Sequence, residues 1–307
     1  MARKSLSKVL DIIENASSEA PIEKRFINDL TYSIEQTANK GTHKPSKAFK
    51  PSSIGGCERN LYYQLCGAEQ NKTNNSSYSN VGILESGTDR HIRLQEAICE
   101  MKNNGIDCEY VDVADFIKQR GLDYLEVKEK SGMETKCFWK EIPLSFLTDG
   151  IVRYNGQYYI LEIKTMNSKK FFESKDVRQE HIAQGVCYSL AFKLNKVLYL
   201  YENRETLDKK AFILEVTDGM RKGLLNKTER VKECVKNHIP PEINPNNHMC
   251  AYCSYSELCK IDNKKDSHLY KLCIAIYWNC VTIITVKGSD YNSYFTNAIF
   301  ISNYKLL

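Results

Sequence analysis

Phe146-Leu-Thr-Asp149-Gly-Ile-Val-Arg-Tyr-Asn155-Gly156-Gln-Tyr-Tyr-Ile-Leu-Glu162-Ile-Lys164-Thr165 carries its own geometry. Asn-Gly is the strongest two-residue hairpin signal, because both central residues of a type I′ turn need φ > 0. With Asn155 and Gly156 as the loop, Tyr154 opposes Gln157, Val152 opposes Tyr159 and Asp149 opposes Glu162. Directly opposed side chains of an antiparallel pair lie about 5 Å apart at Cβ, and like charges there destabilise the pair. A divalent cation would neutralise them. Period-two alternation puts Lys164 on the face of Glu162 and leaves the other face to Leu161 and Ile163. One bend thus predicts an Asp, a Glu and a Lys converging on one point. A surface hairpin with scattered charges has the same residues, so the rest of the chain decides between the two.

Upstream, Gly87 to Met101 reads as a helix with Thr88 or Asp89 as N-cap and His91, Leu94, Ile98 and Met101 along one stripe. A histidine on such a stripe points inward, either as a hydrogen-bonded structural group or as a ligand. Downstream, His181-Ile-Ala-Gln184-Gly-Val-Cys-Tyr188 sets Gln184 and Tyr188 four apart on one helix face. Strands are expected near 137–145, at 196–201 and at 211–216, and residues 102–134 read as a charged excursion.

The order G-x-x-x-H, D-G, E-x-K-T and Q-x-x-x-Y resembles the RecB-type branch of the PD-(D/E)XK nuclease superfamily. The resemblance implies an α/β fold: a restriction-endonuclease-like core with a mixed sheet flanked by helices, here with an N-terminal helical segment and a C-terminal cysteine cluster. It implies that His91, Asp149, Glu162 and the carbonyl of Ile163 hold Mg²⁺ or Mn²⁺, with imidazole favouring Mn²⁺ because Mg²⁺ prefers oxygen ligands. Lys164 would act on the attacking water, and Gln184 and Tyr188 would contact DNA, with Arg59 and Lys169 as further DNA contacts.

Cys250-Ala-Tyr-Cys253-Ser-Tyr-Ser-Glu-Leu-Cys259 follows Pro240, Pro241 and Pro245, and Cys57 lies far upstream. One cysteine before the core and three after it looks like the iron-sulfur group that includes the CRISPR-associated exonuclease of the Cas-four type, which implies a 4Fe-4S cluster on Cys57, Cys250, Cys253 and Cys259. Four thiolates also suit zinc, although zinc sites usually show two tight knuckles and only one C-x2-C occurs among these four. Either metal would clamp the ends of the core and remove chain entropy worth about 5 kcal/mol.

Twelve cysteines in 307 residues fit disulfides or a reducing compartment. Met1 to Asp11 has no apolar leader region, so a cytoplasmic setting is expected, bacterial or that of a host if phage-encoded. The other cysteines read as packing residues. The net charge of +5 is modest, but Lys164, Lys169, Lys170, Lys175 and Arg178 cluster after the catalytic strand, as a phosphate-binding patch would. Arg221, Lys222, Lys227, Arg230, Lys232 and Lys236 form a second cluster, which suits DNA or solvent equally.

The expected organisation is an N-terminal helical segment and basic linker at 1–50, the nuclease domain with its cysteine staple at 51–262, and a tail of open role at 263–307. Leu272 to Val286 is apolar but short for a membrane span and interrupted by Asn279, so no membrane is expected. The expected function is metal-dependent DNA exonuclease action on single strands or ends in recombination, repair or CRISPR-type processing. The alternatives are a catalytically silent iron-sulfur DNA-binding module and a structure-specific endonuclease. No G-x4-G-K-[ST] loop occurs, so unwinding would need a helicase or other recombination or CRISPR partner protein.

Overall fold

In the computed structural model, which describes residues 21–39, 47–71, 78–243, 250 and 253–262, helix α1 (Ile22–Asn39) leads to α2 (Pro51–Ile54), α3 (Glu58–Cys66) and the long α4 (Tyr78–Asn103). Next come β1 (Cys108–Val111), α5 (Val113–Gln119), β2 (Leu125–Ser131), β3 (Glu134–Trp139), β4 (Leu144–Thr148), β5 (Gly150–Tyr154) and β6 (Gln157–Met166). The chain continues through α6 (Ser168–Glu173), α7 (Gln179–Phe192), β7 (Lys196–Asn203), β8 (Lys209–Glu215), α8 (Asp218–Asn237) and α9 (Ser256–Asp262).

The Asn155-Gly156 turn forms as its chemistry demands, with φ of 48° and 74°. It sets β5 against β6 with Tyr154 facing Gln157 and Val152 facing Tyr159, as expected, but the ladder ends at Gly150 facing Leu161, one residue short of the expected Asp149–Glu162 pair. β6 then pairs in parallel with β7, and β1 and β8 complete a mixed five-stranded sheet of order β1-β5-β6-β7-β8. The fold is thus mixed α/β, with helices on both faces of the sheet.

Alternation along β6 divides its side chains between two cores. Leu161 and Ile163 pack with Val152 against Leu94 and Ile98 of α4, while Ile160 and Met166 join the larger core with Val186, Tyr188 and Phe192 of α7. Burying each such side chain contributes about 1.5–3 kcal/mol, so both faces hold the strand in one register.

Three sequence expectations change. The region 102–134 is structured: Asp112 caps α5 by accepting the Asp115 N–H, β1 adds an edge to the sheet, and β2 belongs to a second, three-stranded sheet, β2-β3-β4. The single strand expected near 137–145 is the β3–β4 hairpin, interrupted before Pro143, which has no N–H to donate to a ladder. Helix α4 begins at Tyr78, so Thr88 and Asp89 lie inside it rather than capping it. Its packing on β1 and α1 outweighs the roughly 1 kcal/mol cost of an interior glycine. At the domain boundary, Phe49 is fully buried and bridges Leu144, so the linker already joins the core before residue 51. Residues 263–307 lie outside the described residues, and no described helix is long and apolar enough to cross a membrane.

The chain passes from the second sheet to the first at Asp149, between β4 and β5. Gly150 has φ 142°, and a Cβ there would sit 2.2 Å from the Tyr110 hydroxyl oxygen. The same hydroxyl donates to the Asp149 carbonyl and approaches the Met133 carbonyl at 3.1 Å. Gly150→Ala should therefore cost about 3 kcal/mol, a drop of about 10 °C in the thermal midpoint followed by circular dichroism; an unchanged midpoint would remove this account of the Asp-Gly pair.

Candidate metal and nucleic-acid site

Asp149 is held from every side. Its Oδ1 lies 3.1 Å from His91 Nδ1, its Oδ2 accepts the Ile163 N–H at 2.7 Å, and Gln95 donates to its carbonyl at 2.8 Å. The Asp149 carboxylate thus reaches across to β6 one residue past Glu162, and α4 supplies the imidazole from the opposite side. Burial pushes the His91 pKa down, but the hydrogen bond and charge of Asp149, helped by Glu162, outweigh it and leave the pKa raised.

Glu162 projects to the α7 face. Its Oε1 is 2.6 Å from Lys164 Nζ and accepts from Gln184 Nε2 at 2.7 Å. Gln184 Oε1 in turn accepts from Lys164 at 2.9 Å, Gln184 Nε2 also lies 3.1 Å from the Tyr188 hydroxyl, and that hydroxyl donates to the Leu147 carbonyl at 2.9 Å. Gln184 and Tyr188 are both buried, so their hydrogen bonds support the carboxylate and the ammonium. The other oxygen, Glu162 Oε2, is buried with no hydrogen-bond partner, a costly state for a carboxylate. Burial, then repulsion from Asp149, raise the Glu162 pKa well above the ordinary carboxylate range despite Lys164 and His91.

A third carboxylate joins them. Glu134, His91 and Asp149 each offer a ligand atom within 4.8 Å of the others, the one such group of three among the described residues. Its origin is register: Thr135 faces Thr148 across β3 and β4, which sets the neighbouring Glu134 beside Asp149. Burial and the charge of Asp149 raise the Glu134 pKa, partly offset by His91. Reading 102–134 as an excursion hides this residue; the available signal is Gly132, which has φ 59° in the tight turn joining β2 to β3. Glu162 stands beside this trio, its Oε1 turned toward Lys164 and Gln184. The donor set, three carboxylates with one imidazole and an orphaned buried oxygen, fits a divalent cation.

Glu134, Gln184 and Tyr188 also line a cleft of about 490 Å³. Lys50 and Ser52 from the segment around α2, Lys136 from β3 and Leu147 from β4 line it as well. Lys169 is exposed on α6, directly after β6. Arg59 is placed differently from a phosphate contact: it is 6% exposed, and its guanidinium lies 3.3 Å from the Tyr63 hydroxyl. The second basic cluster is largely occupied within the chain. Arg221 donates to Ser189 and Asn195, Lys227 to the Gly56 carbonyl, Arg230 to Glu58 and Lys232 to the Glu141 carbonyl, so these cations tie α8 to its neighbours.

Cys57, Cys250 and Cys253 lie near Cys259 at one end of the fold. Cys57 is the N-cap residue of α3, and Cys253 Sγ receives the Asn60 side-chain amide and the Tyr255 N–H, both at 3.4 Å. Asn71 N–H donates to the Ser254 carbonyl at 2.7 Å, and the Tyr63 and Tyr255 rings lie 5.6 Å apart, which docks this segment beside α3. Burial raises the Cys259 thiol pKa; Arg59 lowers it, and Cys57, Cys253 and Cys250 raise it further. Each sulfur is thus within electrostatic reach of Cys259. Soft thiolates and N–H···S bonds fit a thiolate-bound metal centre. No three of these sulfurs lie within 4.8 Å of one another, a spacing wider than the packing around one tetrahedral ion at Zn–S distances of about 2.3 Å.

No protein-family model and no curated protein matches the sequence. Among solved structures the chain is similar to SSO0001, with TM-score 0.38 and 16% identity over 76% of this chain and 96% of that one. It is also similar to an alkaline exonuclease, LHK-Exo, from Laribacter hongkongensis, with TM-score 0.38 and 13% identity over 63% of this chain and 90% of that one. The LHK-Exo complex with dAMP gives TM-score 0.38 and 13% identity over 71% and 96%.

Proposed function

We propose that this protein is a metal-dependent deoxyribonuclease of the RecB-type PD-(D/E)XK kind that hydrolyses phosphodiester bonds in single-stranded DNA or at DNA ends. The observation that carries the reading is the grouping of Asp149 and Glu134 around the His91 imidazole, with Glu162 and its partner Lys164 beside them and a buried Glu162 oxygen left without a partner. A buried carboxylate oxygen without a partner, next to a second carboxylate, is costly unless a cation compensates it.

Asp149, Glu162, His91 and the Ile163 carbonyl would hold Mn²⁺ or Mg²⁺, with Glu134 in reach of the same ion. When bound, such an ion polarises a phosphate oxygen and lowers the pKa of water. Lys164, held by Glu162 and Gln184, orients the attacking water and stabilises the charge that develops on the phosphoryl oxygens. Asp149 keeps its carboxylate aimed through the Ile163 N–H and the His91 ring. The cleft leading to Glu134 and Gln184 receives the strand. Its volume, about 490 Å³, suits a nucleotide or two rather than a duplex, whose major groove alone is about 12 Å wide. Exposed Lys169 and cleft-lining Lys50 and Lys136 supply counter-charge for the backbone, while Arg59 steadies the cysteine centre. That centre, on Cys57, Cys250, Cys253 and Cys259, is proposed to be a 4Fe-4S cluster and a structural staple for the unit 51–262 of a cytoplasmic enzyme.

The test is end-labelled single-stranded DNA incubated with Mn²⁺. Wild type should shorten the label progressively, and Asp149→Ala should leave it intact; absence of cleavage with both Mn²⁺ and Mg²⁺, or equal cleavage by Asp149→Ala, would overturn the proposal.

A further inference from the structure

Glu202, at the far end of β7, is fully buried and surrounded by cationic side chains. Its carboxylate is gripped by Arg93, whose Nη2 lies 2.7 Å and 2.6 Å from the two oxygens. Arg90 donates to it at 3.2 Å, and Lys209 approaches at 3.6 Å. The second amino group of Arg90 donates to the Arg204 carbonyl at 2.9 Å. Arg90 and Arg93 lie on α4 and flank His91 in sequence. Across the parallel ladder Glu202 faces Thr165, the residue that follows Lys164.

One carboxylate therefore ties the helix that carries the imidazole to the strand pair that carries Glu162 and Lys164. Beside the bond from Gln95 to the Asp149 carbonyl at the edge of the site, the packing of α4 on β6 is apolar, through Leu94 and Ile98. Apolar contact is non-directional and leaves the helix free to slide or turn by fractions of an ångström. Charge-assisted bonds from two arginines add direction, because a guanidinium presents its donors in a rigid plane. His91 Nδ1 must meet Asp149 Oδ1 at 3.1 Å, so the rotation of α4 decides whether the ring is in place.

We propose that Glu202 is a positioning residue for the metal site: through Arg90 and Arg93 it sets the register and rotation of α4, and so the place of His91 beside Asp149. It touches no reacting atom. This role rests on the reading of His91 as a metal ligand.

The experiment measures Mn²⁺ binding directly, by the loss of free-ion electron paramagnetic resonance signal, in four forms of the full chain: wild type, Glu202→Gln, His91→Ala and the double variant. Groups that orient a metal-binding histidine change affinity by about 10–100-fold when removed. Glu202→Gln should weaken Mn²⁺ binding about tenfold. His91→Ala should weaken it at least as much, and the double variant should match His91→Ala, since Glu202 acts through that ring. Arg93→Lys, at a half-exposed position, keeps the charge but replaces the rigid planar guanidinium with a flexible ammonium; it should shift affinity in the same direction, and it stands in if Glu202→Gln does not fold. Unchanged affinity in Glu202→Gln and Arg93→Lys, or losses that multiply in the double variant, would overturn the positioning role while leaving the metal site intact. Wild-type affinity in His91→Ala would instead remove His91 from the metal shell, and the role of Glu202 with it.

Discussion

Glu162→Gln is expected to abolish metal-dependent cleavage, by about a thousandfold or more, and to make the metal-free protein more stable. The first effect follows from removing the charge of a proposed ligand; a thousandfold corresponds to about 4 kcal/mol of transition-state stabilisation. The second follows from the site's electrostatics. Glu162 is buried beside Asp149, with one oxygen unpartnered, and its pKa is raised by burial and by that neighbour. In the window between the ordinary carboxylate pKa and its raised native value, the native state binds more protons than the unfolded state, so stability falls as pH rises. Glutamine keeps the bond from Lys164 and carries no charge to neutralise, so that slope should flatten. The measurements are single-turnover cleavage with Mn²⁺ and urea denaturation of the metal-free protein across the acid-to-neutral range. Retained cleavage, or a variant less stable than wild type at neutral pH, would contradict the assignment. Unchanged binding of a single-stranded oligonucleotide should accompany lost cleavage, because the substitution alters the reacting centre and leaves the cleft walls alone.

Cys253→Ser should remove the metal centre and much of the fold's stability together. Cys253 lies in the segment that docks on α3 through Asn60, Asn71 and Tyr63, so a metal shared with Cys57 closes a loop across most of the core. Losing that closure costs about 5 kcal/mol, equivalent to a thermal midpoint lower by about 10–20 °C in a unit of this size. Metal analysis reads the cofactor independently: wild type should carry about four irons and absorb in the visible, whereas a colourless wild-type protein with one zinc would replace the iron-sulfur proposal with a tetrahedral zinc site. A Cys253→Ser protein with full metal content and an unchanged midpoint would exclude both.

Much of the hairpin was legible because its causes are local. Asn155 and Gly156 take positive φ at little cost, and the resulting register follows from a period of two. Leu161 and Ile163 on one face and Glu162 and Lys164 on the other follow from the same rule. Gln184 and Tyr188 were legible as a helical pair but not as what they are. Both side chains are buried, Gln184 bonded to Glu162 and Lys164 and Tyr188 to the Leu147 carbonyl, while they also line the cleft. Arg59 shows the same limit: its charge reads as a surface contact, whereas it is buried on α3 beside Tyr63 and within electrostatic reach of Cys259.

What the sequence by itself determined is the bend at 155–156, the two faces of β6, the mixed α/β class and the grouping of cysteines at either end of the core, since turn chemistry and side-chain period act over a few residues. Only the tertiary structure decided that Glu134 stands beside Asp149, that Glu202 grips the helix bearing His91, and that the basic face of α8 is largely occupied within the fold. Those contacts join residues from tens to more than a hundred positions apart in the chain, and they exist because two sheets meet at Asp149 and one long helix crosses above them, a geometry that arises from packing and that short-range periodicity does not encode.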